Sequence, residues 1–214
     1  MEGQGAAKRA RLGSGEEGAN ANMSFEELHP SGLVPQVQNV SASAEVGCDL
    51  DLRHVARRGK NVEYAPEKFP AVIIRTRNPR ATTFLFSNGK MTTKGAKSVV
   101  EVNHTQRKVA RRLLKMGFPV KFKNHMVDNL LASVNLGARV NLEKLAVKQH
   151  PRFAEPPTYE PEIFPACSLK VKDPQVSVDV YSTGKVLIKG GKSVRAVYEA
   201  FEVCFPLCMQ CCRI

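Results

Sequence analysis

The densest group of reactive side chains lies at the C-terminus, where the last eleven residues contain Cys204, Cys208, Cys211 and Cys212. The spacing C-x3-C-x2-C resembles a triplet that holds an iron–sulfur cluster, but such triplets ordinarily introduce a much larger catalytic fold. The alternative is a helix end followed by a frayed tail, with free thiols in a reducing compartment. We favour this alternative and expect neither a metal nor a cofactor.

Other residue types that could support catalysis do not form a recognisable site. No His-x-Glu or HExxH pattern is present, and the Gly-Ala-Lys and Gly-Gly-Lys sequences at 95–97 and 190–192 do not complete a phosphate-binding loop. We interpret these two sequences as connections from a strand to a helix. The sequence therefore predicts a protein that is not an enzyme and has no small-molecule substrate. The scattered histidines are His29, His54, His104, His125 and His150.

Positive charge dominates the composition, since 32 lysines and arginines outnumber 20 aspartates and glutamates and give the 214-residue chain a net charge of +12. Such a chain is expected to bind a polyanion, which can be a nucleic acid, an anionic membrane surface or an acidic protein. The chain has no apolar run of about 18 residues, so we expect no membrane span, and no secretory signal, so we expect the protein to stay in a reducing compartment. Of the three kinds of polyanion we expect no membrane partner.

The first 33 residues are rich in Gly, Ala, Ser, Asn and Glu, and they predict a disordered tail. Within this tail, Lys8, Arg9, Ala10 and Arg11 form a short basic cluster. Clusters of this kind direct nuclear import, and the alternative is a solvated run of charge.

The chain contains an internal repeat. EYAPEKFPA at 63–71 returns as TYEPEIFPA at 158–166, and FSNGKMTTKGAKSV at 86–99 returns as YSTGKVLIKGGKSV at 181–194. Both pairs are 95 residues apart. We therefore predict two repeats, 34–122 and 123–214, related by a pseudo-twofold axis. A twofold protein suits a twofold partner, and duplex nucleic acid is the obvious one.

Each repeat has the pattern of one strand, a short helix, three strands in a meander and a final helix. The predicted fold class is α+β, in which two antiparallel sheets join side by side into one curved sheet with helices on a single face. The bare face should be a binding surface, because such a face rarely goes unused. We expect a type I′ turn at Asn88-Gly89, and we expect the last helix to end near Cys204–Phe205, ahead of Pro206.

These motifs resemble the core of the TATA-box-binding protein family. The matching segments run in order from residue 32 to about 207: SGLVPQVQNV, FPAVIIRTRNPR, FLFSNGKM, TKGAKS, MGFPVKF, YEPEIFP, STGKV and VYEAFE. The resemblance implies a saddle whose concave sheet face binds the minor groove of double-stranded DNA and kinks it with inserted aromatic wedges, a known property of the family.

The resemblance also assigns roles to individual residues. Two aromatic pairs, each seventeen residues apart, match the family's intercalating side chains: Phe69 with Phe86, and Phe164 with Tyr181. Asn39 and Asn129 match the asparagines at the centre of the site, where an amide can donate to adenine N3 and thymine O2. The alternatives are core packing for a phenylalanine and a turn-capping role for an asparagine.

Basic residues that flank these strands are the expected phosphate contacts. They position the protein without reading sequence, and the alternative is ordinary solvated charge. Gln175 stands where the second repeat would match Arg80, so one charge is lost there. The predicted contacts are Arg75, Arg80, Lys90, Lys97, Lys170, Lys185 and Lys192.

The concave face departs from the family pattern and is more polar. Asp179 is the most consequential change, because a carboxylate meets no donor in an A·T minor groove; it would weaken binding, become protonated or pair with Lys189. We expect Asp179→Leu to strengthen binding to a TATA duplex. The departures are Ser41, Phe84, Lys94, Ser177, Asp179 and Lys189.

The resemblance further implies protein partners. Glu160, Glu162 and Ile163 match the contacts with transcription factor IIB, and the helix with Lys108 and Lys115 matches the region that meets transcription factor IIA. Other expected partners are the TBP-associated factors. The leading function is a nuclear, DNA-bending promoter-recognition factor, and the alternative is an adaptor with weakened TATA specificity. A sheet-based RNA binder is disfavoured, because the aromatic pairs suit two symmetric wedges.

Overall fold

The computed structural model describes residues 29–212. The predicted tail up to residue 28 and the basic cluster at 8–11 lie outside the described residues. Two units divide the chain between Val34 and Pro35, and the fold below is that of the second unit. No helix among the described residues is both long and apolar enough to span a membrane.

The two sequence repeats fold into the same series of elements, except that β2 of the first has no counterpart strand among the described residues of the second. The first contains β1 (Gln36–Glu45), α1 (Leu52–Arg58), β2 (Val62–Glu63), β3 (Ala71–Thr76), β4 (Ala81–Phe86), β5 (Lys90–Ala96) and α2 (Val99–Lys115). The second contains β6 (Lys123–Asn135), α3 (Leu142–Ala146), β7 (Ala166–Val171), β8 (Val176–Tyr181), β9 (Lys185–Gly191) and α4 (Val194–Gln210).

The described strands form one antiparallel sheet in the order β2-β3-β4-β5-β1-β6-β9-β8-β7. Apart from the edge strand β2, the order is the same outward from the centre, because β1 corresponds to β6, β5 to β9, β4 to β8 and β3 to β7. At the centre, Val40 of β1 lies opposite its own counterpart, Leu130 of β6. The pseudo-twofold axis therefore passes between these two residues, and the predicted continuous sheet is confirmed.

Strand alternation gives the sheet one buried face. In the first repeat, Val72, Leu85 and Met91 pack in a single cluster with Val55 of α1 and Val109 of α2. In the second repeat, β8 and β9 bury their alternate residues Val178, Val180, Val186 and Ile188. The prediction of helices on one face is confirmed, and the pleat directs the intervening side chains to the opposite face.

The hairpin at Asn88-Gly89 differs from the expected type I′ turn. Only Gly89 has a positive φ, of 76°, and its amide donates to the Phe86 carbonyl at 3.1 Å. The second hairpin has the same geometry, with Gly184 at φ 86° and a 2.9 Å bond to Tyr181. The loop has three residues and places glycine alone in the left-handed conformation, so the residue before it needs no positive φ.

The last helix passes through Pro206, so the predicted end near Cys204–Phe205 is wrong. Proline removes the bond to the carbonyl four residues earlier, which belongs to Glu202. Both Pro206 and Glu202 are exposed, and water can solvate the freed carbonyl. The helix continues to Gln210 because its opposite side buries Phe201, Cys204 and Cys208.

The predicted frayed tail is also wrong, since Cys204, Cys208 and Cys211 are buried as free thiols. Burial raises the pKa of Cys204 to about 12 and raises that of Cys208 as well. The backbone amide of Asn141 donates to the Cys211 carbonyl at 2.8 Å and fixes the end of α4 beside α3. Among the described residues, no His, Cys, Asp and Glu side chains cluster closely enough to hold a metal ion.

Gln106 of α2 links the helix layer to the centre of the sheet. Its side chain is fully buried; Nε2 donates to the Ala42 carbonyl at 2.8 Å, and Oε1 lies 2.7 Å from His125 Nδ1. Burial and the nearby Arg107 lower the pKa of His125, which keeps the imidazole neutral as a donor to Gln106. One amide thus satisfies polar groups on both β1 and β6.

Replacing Gln106 with leucine should destabilise the protein by about 2 kcal/mol, because the Ala42 carbonyl and the His125 ring would lose a buried partner. Denaturant unfolding measures this cost. His104→Leu is the matched control, since His104 lies on the exposed side of the same helix and should change stability by less than about 0.5 kcal/mol. Equal effects of the two substitutions would contradict the bridging role of Gln106.

Candidate nucleic-acid interface

The candidate interface is the sheet face opposite the helices. On β4, Ala81, Thr83 and Leu85 are buried on the helix side, so Thr82, Phe84 and Phe86 lie on the other face. The same alternation on β8 brings Ser177, Asp179 and Tyr181 to that face. No element among residues 35–212 packs over it.

Two aromatic pairs lie at equivalent positions on this face. The ring centroids of Phe69 and Phe86 are 6.2 Å apart with an interplanar angle of 63°, and those of Phe164 and Tyr181 are 6.2 Å apart at 64°. Phe69 and Phe164 are 39% and 38% exposed. These side chains are therefore available to a ligand and are not core residues.

A tight turn holds the exposed member of each pair. The Phe69 amide donates to the Ala65 carbonyl at 2.9 Å, and the Phe164 amide donates to the Glu160 carbonyl at 2.9 Å. In the first repeat a third ring, Phe84, lies 5.7 Å from Phe69. Its counterpart in the second repeat is Asp179, so the two halves share a frame but differ in surface.

The two asparagines lie on either side of the pseudo-twofold axis. Asn39 is paired with Leu131, and Asn129 with Ser41. The strand register shifts just before each asparagine, which leaves Gln38 and Asp128 as the extra residues of two equivalent β-bulges. A bulge redirects the side chains beside it, and this pair of bulges aims both asparagines at the exposed face.

Each asparagine is oriented by a hydrogen bond to a neighbouring strand. Asn39 Oδ1 accepts from the Gly95 amide at 2.8 Å, and Asn129 Oδ1 accepts from the Gly190 amide at 2.9 Å. Since the carbonyl oxygen of each side chain is engaged, the NH2 group is left to donate. No described protein group accepts from either NH2. Two donors of fixed orientation thus lie at the centre of the face.

Two equivalent grooves lie at the β3–β4 and β7–β8 ends of the sheet. The first has a volume of about 830 Å³, and the second has a volume of about 390 Å³. Arg75, Arg77, Arg80 and Lys94 line the first groove. Lys170, Lys172, Gln175 and Lys189 occupy the corresponding positions of the second.

The grooves differ in free charge. In the first, Arg75 pairs with Glu63 at 2.6 Å, and the structure records no ion pair for Arg77, Arg80 or Lys94. In the second, Lys170 pairs with Glu155 at 2.6 Å and Lys189 pairs with Asp179. The first half of the face is therefore the more strongly cationic, and we expect it to attract anions more strongly.

Asp179 forms an ion pair with Lys189, which was one of the three possibilities that the sequence left open. It is 2% exposed although it lies on the uncovered face, because Lys189 forms an ion pair with Oδ2 and Ser168 Oγ donates to Oδ1 at 3.0 Å. Asp179 is therefore not an unpaired carboxylate of the kind that would repel DNA. In the first repeat, the Lys94 ammonium instead lies 5.9 Å from the centre of the Phe84 ring.

The remaining predicted cations are exposed but not gathered in one place. Lys90 and Lys185 begin β5 and β9, whereas Lys97 and Lys192 precede the N-caps of α2 and α4. Sequence reasoning missed Arg77 and Lys172. Their 95-residue separation and their position two residues after Arg75 and Lys170 were the available signal.

The predicted partner residues lie outside the strands of the exposed face. Glu160, Glu162 and Ile163 are exposed on the turn before β7, and Ile163 is 80% exposed. On α2, Lys115 is exposed, while Lys108 Nζ donates to the Asn78 carbonyl at 3.0 Å and so has a structural contact as well.

The fold and this face define a class: a pseudo-twofold α+β protein that presents aromatic pairs, oriented amides and basic grooves on an uncovered sheet. The family model described as "Transcription factor TFIID (or TATA-binding protein, TBP)" matches residues 34–116 and 124–211. The chain belongs to the TATA-box-binding protein family.

Individual relatives agree with this assignment. The chain is 45% identical over 177 residues to TATA box-binding protein-like 2 of Rattus norvegicus, which covers 83% of the chain and 50% of the relative. It is 38% identical over 183 residues to the TATA-box-binding protein of Acetabularia peniculus, covering 86% and 94% of the two chains. The chain thus spans about half the length of the rat relative.

A solved structure shows the same fold. Methanococcus jannaschii TBP superposes with a TM-score of 0.72 and 31% sequence identity, covering 82% of this chain and 98% of that one.

Asn39→Asp and Asn39→Ala should separate the two functions of the asparagine side chain. Aspartate keeps an oxygen for the Gly95 amide, so stability should change by less than about 0.5 kcal/mol, whereas alanine should cost about 1 kcal/mol. Denaturant unfolding and hydrogen exchange of the Gly95 amide measure this. Equal stability of the two variants would contradict the orienting bond.

Proposed function

We propose that this protein is a promoter-recognition factor in transcription initiation, which binds duplex DNA in the minor groove and bends it with its aromatic pairs. The observation that carries the proposal is the twofold arrangement of both aromatic pairs and both oriented asparagines on one uncovered face. Family membership supports it. The repeats 34–122 and 123–214 would each contact one half of the DNA site.

The chemistry of the face fits an A·T-rich minor groove. Adenine N3 and thymine O2 are the only hydrogen-bonding groups that A·T pairs offer there, and both are acceptors. The free NH2 groups of Asn39 and Asn129 supply donors at the centre of the face. Phe69 and Phe164, which are held by equivalent turns, would unstack a base step at each end and open the groove.

The protein is proposed to act without catalysis and inside the nucleus. DNA bending needs binding energy alone, supplied by contacts that a bent duplex gains. The positive charge of the first groove would strengthen binding, because its basic side chains would neutralise DNA phosphates.

Fluorescence anisotropy with a TATA duplex and a G·C-rich control, each across a salt series, tests the proposal, and end-to-end energy transfer reports the bend. Wild-type protein should bind the TATA duplex at least about tenfold more tightly than the control, and it should bend the TATA duplex. The double variant Asn39→Asp/Asn129→Asp should lose this preference, because its carboxylates cannot donate to the groove acceptors.

Asn103→Asp is the matched control, since it makes the same change on α2, on the opposite side of the sheet. It should leave the TATA preference intact. Equal wild-type affinity for both duplexes with a steep salt slope would mean that only phosphate attraction remains, and it would overturn minor-groove recognition.

An adaptor with altered TATA specificity is the second candidate. The Asp179–Lys189 pair favours it, because it replaces apolar and hydroxyl groups expected from the family with a salt bridge on the binding face. An adaptor would act mainly through the exposed turn at 160–163 and the basic helix α2, recruiting transcription factors IIB and IIA, TBP-associated factors and RNA polymerase.

Ile163 should be central to the contact with transcription factor IIB, since a large apolar side chain that is 80% exposed offers an anchor directly after Glu160 and Glu162. Ile163→Ala should weaken capture of transcription factor IIB by about tenfold and leave DNA affinity unchanged. Val147→Ala is the control, because Val147 is the C-cap residue of α3, is 78% exposed and lies outside the proposed contact. Equal losses in both variants would argue against a specific contact at Ile163.

A further inference from the structure

The Asp179–Lys189 pair joins neighbouring strands of the exposed face. Of the ion pairs that the structure records within residues 29–212, it is the only one that includes a buried carboxylate. Asp179 lies opposite Leu187 on β9 and Ser168 on β7. Each carboxylate oxygen accepts one bond: Oδ2 from Lys189 and Oδ1 from Ser168. A carboxylate has roughly four acceptor positions, so about two remain unused.

The first repeat has no such acceptor at the equivalent place. Phe84 stands at the Asp179 position, and the Lys94 ammonium lies over its ring. At this one position the first half therefore offers a donor and apolar surface alone, which complement the acceptor-only edge of A·T pairs. The second half offers a donor and an acceptor side by side.

A G·C pair presents the complementary pattern in the minor groove. Guanine contributes its 2-amino group as a donor, and guanine N3 and cytosine O2 are acceptors beside it. A carboxylate that receives the amino group and an ammonium that donates to a neighbouring acceptor would match this edge. Against an A·T pair, the same carboxylate would find no donor.

We propose that Asp179 and Lys189 make the second repeat select a G·C base pair at the position they face, while the first repeat retains A·T preference. The inference rests on the proposed minor-groove function. Asp179 accepts from the guanine 2-amino group, and Lys189 donates to cytosine O2 or guanine N3. The preferred site is then mixed, with A·T pairs under the first repeat and a G·C pair under the second.

Access to the carboxylate depends on Lys189. Asp179 is nearly inaccessible in the free protein, whereas the Lys189 side chain that pairs with it is 44% exposed. Lysine has a long flexible stem, so its ammonium can turn toward the acceptor on the base and uncover the carboxylate. Lys189 thus positions Asp179 for contact and takes part in the same recognition.

Inosine provides the sharpest test, because it differs from guanine by the absence of the 2-amino group alone. Three duplexes are compared by anisotropy: one with A·T pairs in both halves, one with a single G·C pair in one half, and one in which inosine replaces that guanine. Wild-type protein should bind the guanine duplex about tenfold more tightly than the inosine duplex, since a hydrogen bond to a charged group is lost. The protein can bind in either orientation, so the ratio does not depend on which half carries the substitution.

Asp179→Leu should reverse the order, with the A·T and inosine duplexes bound more tightly than the guanine duplex. Asp179→Asn, which keeps the size of the side chain, guards against a folding defect and should lower the ratio, because a neutral amide oxygen accepts a weaker hydrogen bond than a carboxylate. Glu155→Gln is the matched control, because Glu155 is the exposed carboxylate paired with Lys170 in the same groove. It should change all three affinities alike and leave the ratio unaltered.

The outcomes separate this inference from the proposed function. Tight binding and bending of the A·T duplex without a guanine-over-inosine preference would overturn the G·C assignment and leave the function standing. A preference that persists in Asp179→Leu would overturn the role of Asp179. Failure to bind any of the three duplexes above the salt-sensitive background would overturn both.

Discussion

The pairing of β1 with β6 holds the two repeats in one sheet, and the geometry of the exposed face depends on its register. Val40 lies opposite its own counterpart Leu130, so the equivalent strands of the two repeats are related by the same axis. A slip of one residue would turn Asn39 and Asn129 toward the helices and bring core residues to the surface. Gln106 stabilises this junction from behind, because its amide contacts both central strands.

The two faces of the sheet meet different physical demands. On the helix side, close packing leaves little freedom, and every buried side-chain nitrogen and oxygen atom in the described part of the chain has a hydrogen-bond partner. On the other side, a change of side chain alters charge and shape without opening a cavity. Phe84 and Asp179 therefore occupy equivalent places in strands that pair in the same register.

The repeat at 95-residue spacing was enough to predict the architecture, because two copies of one unit limit the ways in which strands can pair. The aromatic pairs followed from the family resemblance. The bulges at Gln38 and Asp128 could not be predicted, since a bulge is a property of two paired strands and leaves no mark on one of them. The turn type was open to a better prediction: Thr183 stands where Asn88 does, and a β-branched residue disfavours positive φ. The passage of α4 through Pro206 depended on tertiary packing that a local helix-breaking rule ignores.

Fusion of the two repeats into one polypeptide has an evolutionary consequence. A homodimer built from one such unit would carry every substitution twice, and its two halves would remain identical. In a covalent duplicate, each half can mutate separately while the shared strands β1 and β6 keep the assembly intact. One molecule can thus favour a direction along a duplex. The grooves illustrate this, because among the described residues Arg77, Arg80 and Lys94 have no recorded ion pair in the first, whereas Lys172 is the one such cation lining the second.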